Sequence, residues 1–179
     1  MNEPDVHIRA PTPDDAAELI TLNRASADSH RPWSAPPVDG AQFAGYLARC
    51  AEASFCGFLI CRAEDGAIVG VANLSQIVRG NFQSAYLGYY GGAPFAGRGY
   101  MRRGVSRVLD EAFGALGLHR VEANIQPANA ASIALVRRLG FRLEGFSPRY
   151  LQIAGEWRDH ERYAMLSEQW KNLNTGTRR

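Results

Sequence analysis

The chain has 179 residues, a formal net charge of +2, 46% hydrophobic and 21% charged residues. That length holds one domain with a full core and falls short of two ordinary ones, and the composition is that of a soluble globular protein. The small net charge argues against bulk nucleic-acid binding, which needs a concentrated basic face. The absence of an apolar run of about 18 residues or of an N-terminal h-region argues against a membrane partner and for a cytoplasmic protein. Its three cysteines, Cys50, Cys56 and Cys61, are odd in number and form no CxxC pair. Neither a disulfide framework nor a metal site is therefore expected.

Val6 to Arg9 has the pattern of a first strand. Thr12-Pro13-Asp14-Asp15 reads as a helix start, with a cap, a proline at the first helical position and acids in the first turn. Ala16, Leu19, Ile20 and Leu22 give that helix an apolar side, and it fades near Ser29. Asp39 caps a second helix, in which Phe43, Tyr46, Leu47 and Cys50 share a face. Ser54 to Cys61, Ala67 to Val78 and Phe82 to Tyr90 read as three successive strands. They are joined by Glu64-Asp65-Gly66 and Arg79-Gly80-Asn81. After Gly91 to Gly99 comes a helix over Tyr100 to Leu116, with Val105, Val108, Leu109, Ala112 and Phe113 on one stripe. Arg120 to Gln126 is a strand, and Asn129 opens a short helix to Leu139 with Gly140 at its end. Phe141 to Gly145, Arg149 to Ile153 and Glu156 to Met165 read as closing strands. The stretch after Trp170, residues 171–179, reads as a flexible tail. The order gives an α/β (α+β) fold with a largely antiparallel sheet and a single βαβ crossover.

The strand, glycine-rich turn and helix start from Ala85 to Gly104 form an anion site. Helix-initial N–H groups lack internal partners, and glycines admit a phosphate close to the backbone. Two nucleotide loops are excluded. The chain has no Gly-Lys pair for a Walker A loop, and Gly97-Arg98-Gly99-Tyr100-Met101-Arg102 lacks the third glycine of a dinucleotide fingerprint.

Read together, the motifs resemble the GNAT acyltransferases, and more narrowly the RimJ/RimL group of ribosomal-protein alanine N-acetyltransferases, nearer RimJ. The residues that carry this are Ile68 to Asn73, Val78-Arg79-Gly80, Tyr86-Leu87-Gly88-Tyr89 and Gly97-Arg98-Gly99-Tyr100-Met101. They continue with His119-Arg120, Asn129-Ala130-Ala131-Ser132, Leu139-Gly140-Phe141, Glu144-Gly145 and Gly155 to His160, with Arg31-Pro32-Trp33 near the start. The resemblance implies one GNAT domain over 1–170, with a mixed, mostly antiparallel seven-stranded sheet flanked by about four helices. It implies acetyl-CoA as cofactor. The acetyl group would pass to a primary amine by direct attack, without a covalent enzyme intermediate.

By the same resemblance, the turn from Phe95 through Ala96, Gly97, Arg98, Gly99 and Tyr100 to Met101 would hold the pyrophosphate. Leu87, Gly88, Tyr89, Tyr90 and Gly91 would pair with the pantetheine arm, and a backbone N–H near Tyr90 or Gly91 would polarise the thioester carbonyl. Ala96 and Met101 depart from the family pattern [QR]-x-x-G-x-[GA], yet neither change removes a backbone donor. Asn129 would contact pantetheine, Ser132 would protonate the departing thiolate, and Arg138 would reach the 3′-phosphate or adenine. His30, Trp33 and Tyr150 would border the acceptor groove. Carboxylates that serve relatives as base are replaced by Asn124 and Arg149, which leaves Glu122 as a nearby acid and Asn124 as a holder of water. An α-amino group has a pKa near 8, so a water relay suffices.

The acceptor stays open at this level. The favoured one is a protein N-terminus, with ribosomal protein S5 as the acceptor the resemblance implies. A small-molecule amine and a non-catalytic CoA sensor are the alternatives, and both a monomer and a homodimer fit.

Overall fold

The computed structural model describes residues 4–31 and 33–176. Pro32 of the Arg-Pro-Trp segment and residues 177–179 of the expected tail lie outside the described residues. The chain runs β1 (Val6–Arg9), α1 (Ala16–Ala25), α2 (Ala27–His30), α3 (Gly40–Cys50), β2 (Cys56–Arg62), β3 (Ile68–Val78) and β4 (Ser84–Gly91). It continues with α4 (Tyr100–Phe113), β5 (Arg120–Ile125), α5 (Ala130–Arg138), β6 (Arg142–Ile153), β7 (Glu156–Leu166) and α6 (Ser167–Gly176). The strands form one seven-stranded sheet in the order β1-β2-β3-β4-β5-β7-β6. β4 and β5 pair in parallel, whereas β1 with β2, β5 with β7 and β6 with β7 are antiparallel. Antiparallel neighbours need only tight turns, and the one parallel pair requires the α4 crossover.

Three expectations need correction. The stretch after Trp170 is helical through Gly176, because Trp170 is buried and its indole N–H donates to Asp110 Oδ1 at 2.9 Å. Phe141 to Gly145 and Arg149 to Ile153 are parts of one strand, β6, interrupted by irregularities between Leu143 and Gly145 and between Ser147 and Leu151. Among the described residues there are six α-helices rather than about four; the additional ones are α2, at the fading end of the first helix, and α6.

The chain divides into two compact units. One runs to Asn73 and takes in Tyr89–Val108; the other comprises Leu74–Gly88 and the described residues from Leu109 on. In the first, Leu19 and Leu22 of α1, Phe43 and Tyr46 of α3, Leu59 and Cys61 of β2 and Ile68 and Val71 of β3 join one buried cluster. The amphipathic spacing that predicted α1 and α3 is what delivers these side chains inward. The Asp39 cap is present, its carboxylate accepting the Gln42 N–H at 2.8 Å. In the second unit β5 alternates strictly. Val121, Ala123 and Ile125 are buried, and Arg120, Glu122 and Asn124 are turned to the opposite face.

Candidate active site

The end of β4 is fixed peptide group by peptide group. The Gly91 carbonyl accepts from His30 Nε2 at 2.8 Å, Gly92 N–H donates to the Val69 carbonyl at 2.9 Å, and Ala93 N–H donates to Ser26 Oγ at 2.9 Å. His30 is buried at the end of α2 with its ring edge-on to Tyr90. Since a carbonyl only accepts, Nε2 carries the proton. Close packing permits no side chain at several glycines here. A Cβ on Gly92 would strike Leu22, and one on Gly91 would stand 2.7 Å from Met101 Cγ. His30, assigned to an acceptor groove by resemblance, is placed as the clamp on Gly91. Trp33 follows it, with its N–H donating to the His30 carbonyl at 2.8 Å.

From that clamp the chain makes one 3₁₀ turn over Ala93–Phe95 and reaches Gly97 and Gly99, with φ of +73° and +83°. Backbone in the left-handed region turns consecutive N–H groups toward one side, and only glycine adopts it without strain. The first α4 hydrogen bond runs from Arg103 N–H to the Gly99 carbonyl at 3.1 Å, so the preceding amides have no acceptor within the helix. α4 is 14 residues long and carries no acid in its first turn. A dianionic phosphate fits this terminus. Ala96, Gly97 and Arg98 are exposed, while Gly99, Tyr100 and Met101 are half-buried.

Met101 explains one departure from the family pattern. Its thioether lies over Gly70 of β3 and Gly91 of β4, where a Cβ on either glycine would collide with it. The side chain points into the packing beneath the turn and leaves the backbone donors where they are. Arg62, which the sequence did not single out, also borders the turn. Its guanidinium lies 5.6 Å from the Phe95 ring centroid and is held by Asp65 at 2.5 Å. Its hydrogen bonds to Asp65, and then the neighbouring Tyr100 hydroxyl, keep Arg62 protonated well above its ordinary range. Its i,i+3 relation to Asp65 at the Asp-Gly turn is the signal that could have found it.

Along β4, Leu87 is buried and Gly88 exposed. Pairing with β5 covers only Ser84–Tyr86 against Arg120–Glu122. Burial pushes the Tyr90 hydroxyl well above its usual pKa. The Asn23 side chain is close enough to oppose this slightly, although no hydrogen bond of ordinary geometry closes on the hydroxyl.

In the second unit, Asn129 caps α5, its Oδ1 accepting the Ser132 N–H at 3.1 Å. Arg138 is exposed in the last turn of α5. Glu122 is half-buried and accepts from Arg120 Nε at 2.8 Å, and the same guanidinium also holds Glu144. That partner pulls Glu144 below the usual carboxylate range. Asn124 Oδ1 is buried with no hydrogen-bond partner. Tyr150 sits in the second irregularity of β6, where Arg149 adopts φ +47° and its N–H donates to Asp159 Oδ1 at 2.8 Å. The bulge aims Tyr150 at Tyr86, and the hydrogen bond between the two hydroxyls, then burial, pushes Tyr86 up to about 12. Asp159 holds this bulge, and His160 is buried edge-on to Tyr150.

Among the described residues, no group of three or more His, Cys, Asp or Glu side chains is arranged to hold a metal ion. No helix among them is long and apolar enough to cross a membrane.

Residues 5–142 match the family model described as an acetyltransferase (GNAT) domain. The chain belongs to the GNAT acetyltransferase family. The cofactor of that family is acetyl-CoA. The Escherichia coli [ribosomal protein uS5]-alanine N-acetyltransferase is 39% identical over 107 residues, 60% of this chain and 55% of that protein. The Pseudomonas paraeruginosa L-methionine sulfoximine/L-methionine sulfone acetyltransferase is 32% identical over 149 residues, 79% of this chain and 82% of that protein. Among solved structures, Mycobacterium smegmatis RimJ in complex with CoA-disulfide superposes with a TM-score of 0.83 at 28% identity, covering 97% of this chain and 90% of that one. The chain spans 55% to 61% of the length of three of the curated relatives it matches.

Proposed function

We propose that the chain transfers the acetyl group of acetyl-CoA to a primary amine, and that the favoured acceptor is the N-terminal α-amino group of a protein such as ribosomal protein S5. The observation that supports it best is the clamped strand end running into the Gly97/Gly99 turn at the start of α4. Backbone donors there need no reorganisation when a pyrophosphate arrives, which favours binding and catalysis alike. When bound, acetyl-CoA supplies an activated acyl group as a thioester. The amides of Phe95 to Met101 would hold the phosphates, and Leu87 to Gly91 would pair with the pantetheine arm. An N–H at Tyr90 or Gly91 would polarise the thioester carbonyl, and its position is set by the His30 clamp on the neighbouring carbonyl. Asn129 would orient pantetheine and Ser132 would donate a proton to the leaving sulfur. Arg138 supports the 3′-phosphate.

With Glu122 engaged by Arg120, the proton of the attacking amine leaves through a water held at Asn124 Oδ1. Tyr150 borders the acceptor. A cytoplasmic location and a single catalytic domain over 1–170 belong to the same reading.

A second acceptor class, a small amine, is supported by the likeness to the methionine sulfoximine/sulfone acetyltransferase over 79% of the chain. The full chain incubated with acetyl-CoA and a panel of peptides beginning Ala, Ser or Met, alongside small amines, separates the two. Acetylated peptide, read by mass spectrometry, is the expected product. Acetylation of small amines alone would overturn the protein acceptor and leave the chemistry standing.

A further inference from the structure

The second unit carries two buried polar atoms of opposite character that nothing in the protein satisfies, and they stand on facing residues. The β-ladder pairs Asn124 of β5 with Arg162 of β7, and Arg162 with Gly145 of β6. Tyr86 of β4 lies across from Glu122. Directly paired residues project to the same side, so Tyr86, Glu122, Asn124 and Arg162 share one face of the sheet, opposite the buried Val121, Ala123 and Ile125.

Arg162 Nε is buried without a partner, and among the described residues no carboxylate pairs with its guanidinium and no acceptor receives from it. Asn124 Oδ1, an acceptor, is equally buried and unpaired. The charges nearby are committed elsewhere. Arg120 takes both Glu122 and Glu144. That trio carries one net negative charge, which offsets Arg162 at a distance and gives its N–H groups nothing to donate to. Gly145 keeps the guanidinium in place, since a Cβ there would stand 2.7 Å from Arg162 Nη2.

Arg162 as a whole is half-buried, but its Nε–H is sealed from solvent without an acceptor, which costs free energy that a ligand closing this side of the fork would recover. Water would occupy the donors and leave the charge unpaired. A peptide carbonyl accepts and is neutral. A carboxylate matches both the planar fork and the charge. The atom facing it, Asn124 Oδ1, asks for a donor, which an amine supplies; its second lone pair remains for a relay water. An amine and a carboxylate on neighbouring positions of one small molecule describe an α-amino acid.

We propose that Arg162 and Asn124 form an acceptor-reading pair, and that the small-molecule acceptors this chain takes beside a protein N-terminus are amines bearing a carboxylate, of the α-amino-acid type. This rests on the acetyl-transfer reading and specifies the chemistry of its second, small-molecule acceptor class. Arg162 would bind the carboxylate and Asn124 would take an amine N–H, on the sheet face that also carries Tyr86.

The test measures binding and turnover separately on the full chain. Calorimetry without acetyl-CoA compares the common α-amino acids, each with its own primary amide, and thiol release with acetyl-CoA compares the same pairs. For at least one pair, the acid is expected to bind about tenfold or more tighter than the amide. R162Q should erase that preference while leaving the amide unchanged, and R162K should keep part of it. Equal binding of acid and amide to the unmodified chain, or an equal loss of both in R162Q, overturns the proposal. If R162Q does not fold, the acid-to-amide ratio of R162K against the unmodified chain decides in the same way. Acid-selective binding with no thiol release would leave the pair standing and overturn acetyl transfer. Turnover of the amides as readily as the acids would overturn the pair and leave acetyl transfer standing.

Discussion

Single side chains decide much of this account. Met101 occupies a position where relatives carry Gly or Ala, and the two glycines beneath it, Gly70 and Gly91, are what admit its thioether. Gly91→Ala should therefore destabilise by about 1–3 kcal/mol through overpacking, and Met101→Ala by a similar amount through the cavity it leaves. The double variant should be less destabilised than the sum of the two, by at least 0.5 kcal/mol or so in denaturant unfolding. Strict additivity would show that the thioether does not lie where it is placed.

Asp15 gives a pH prediction. The bond from Arg9 at 2.5 Å, then the Thr12 backbone and hydroxyl, outweigh burial and hold its carboxyl at about 2 instead of 3.8. A depressed carboxylate stabilises the fold above its unfolded pKa and loses that contribution as pH falls through the folded one. Stability should thus drop by roughly 1–2 kcal/mol between pH 4 and 2. Asp15→Asn should flatten that part of the pH profile. Glu122 completes the residue scale. Bound to Arg120, it is poorly placed to accept a proton. Glu122→Gln should cost less than tenfold in kcat, and a loss beyond a hundredfold would remove the water relay in favour of a direct carboxylate base.

Among the elements, the turn between β4 and α4 does the positioning. Its entry is locked by His30, Val69 and Ser26, and its exit is a helix N-terminus without acids. Gly99, at φ +83°, is the position where substitution is most informative. Gly99→Ala forces a Cβ into the left-handed region at about 1–2 kcal/mol. Relief of that strain would rotate the amides away from the phosphate. The expected outcome is acetyl-CoA binding weakened by about tenfold or more in calorimetry, with only a few degrees lost in thermal midpoint. An unchanged affinity would place the pyrophosphate elsewhere. The β6 bulge plays a comparable part. Asp159 holds Arg149 N–H in a left-handed turn, and that irregularity directs Tyr150 to Tyr86.

Across the whole molecule, what could be read from the chain followed local rules, and what could not was set by long-range packing. The α4 stripe, the Asp39 and Asn129 caps and the glycine-rich turn were legible because spacing and capping chemistry act within a few residues. α6 was not legible. Its polar sequence reads as a tail, and it is held by the distant pairing of Trp170 with Asp110. β6 read as two strands because its bulges interrupt the alternation. His30 pointed to an acceptor groove by family position, and its bond to Gly91, sixty-one residues on, could not be seen from its neighbours. Arg162 gave no sign at all, since its distinction is a missing partner on a sheet face that only the strand register assembles.

The central claim is that a backbone-built cofactor turn serves acetyl transfer and not mere binding. It is tested most directly by free thiol release from acetyl-CoA by the full chain as amine is added. The rate should rise with amine and saturate, with one thiol released per acetylated amine. Tight acetyl-CoA binding with no thiol released by any peptide or small amine would contradict it and leave a CoA-binding sensor.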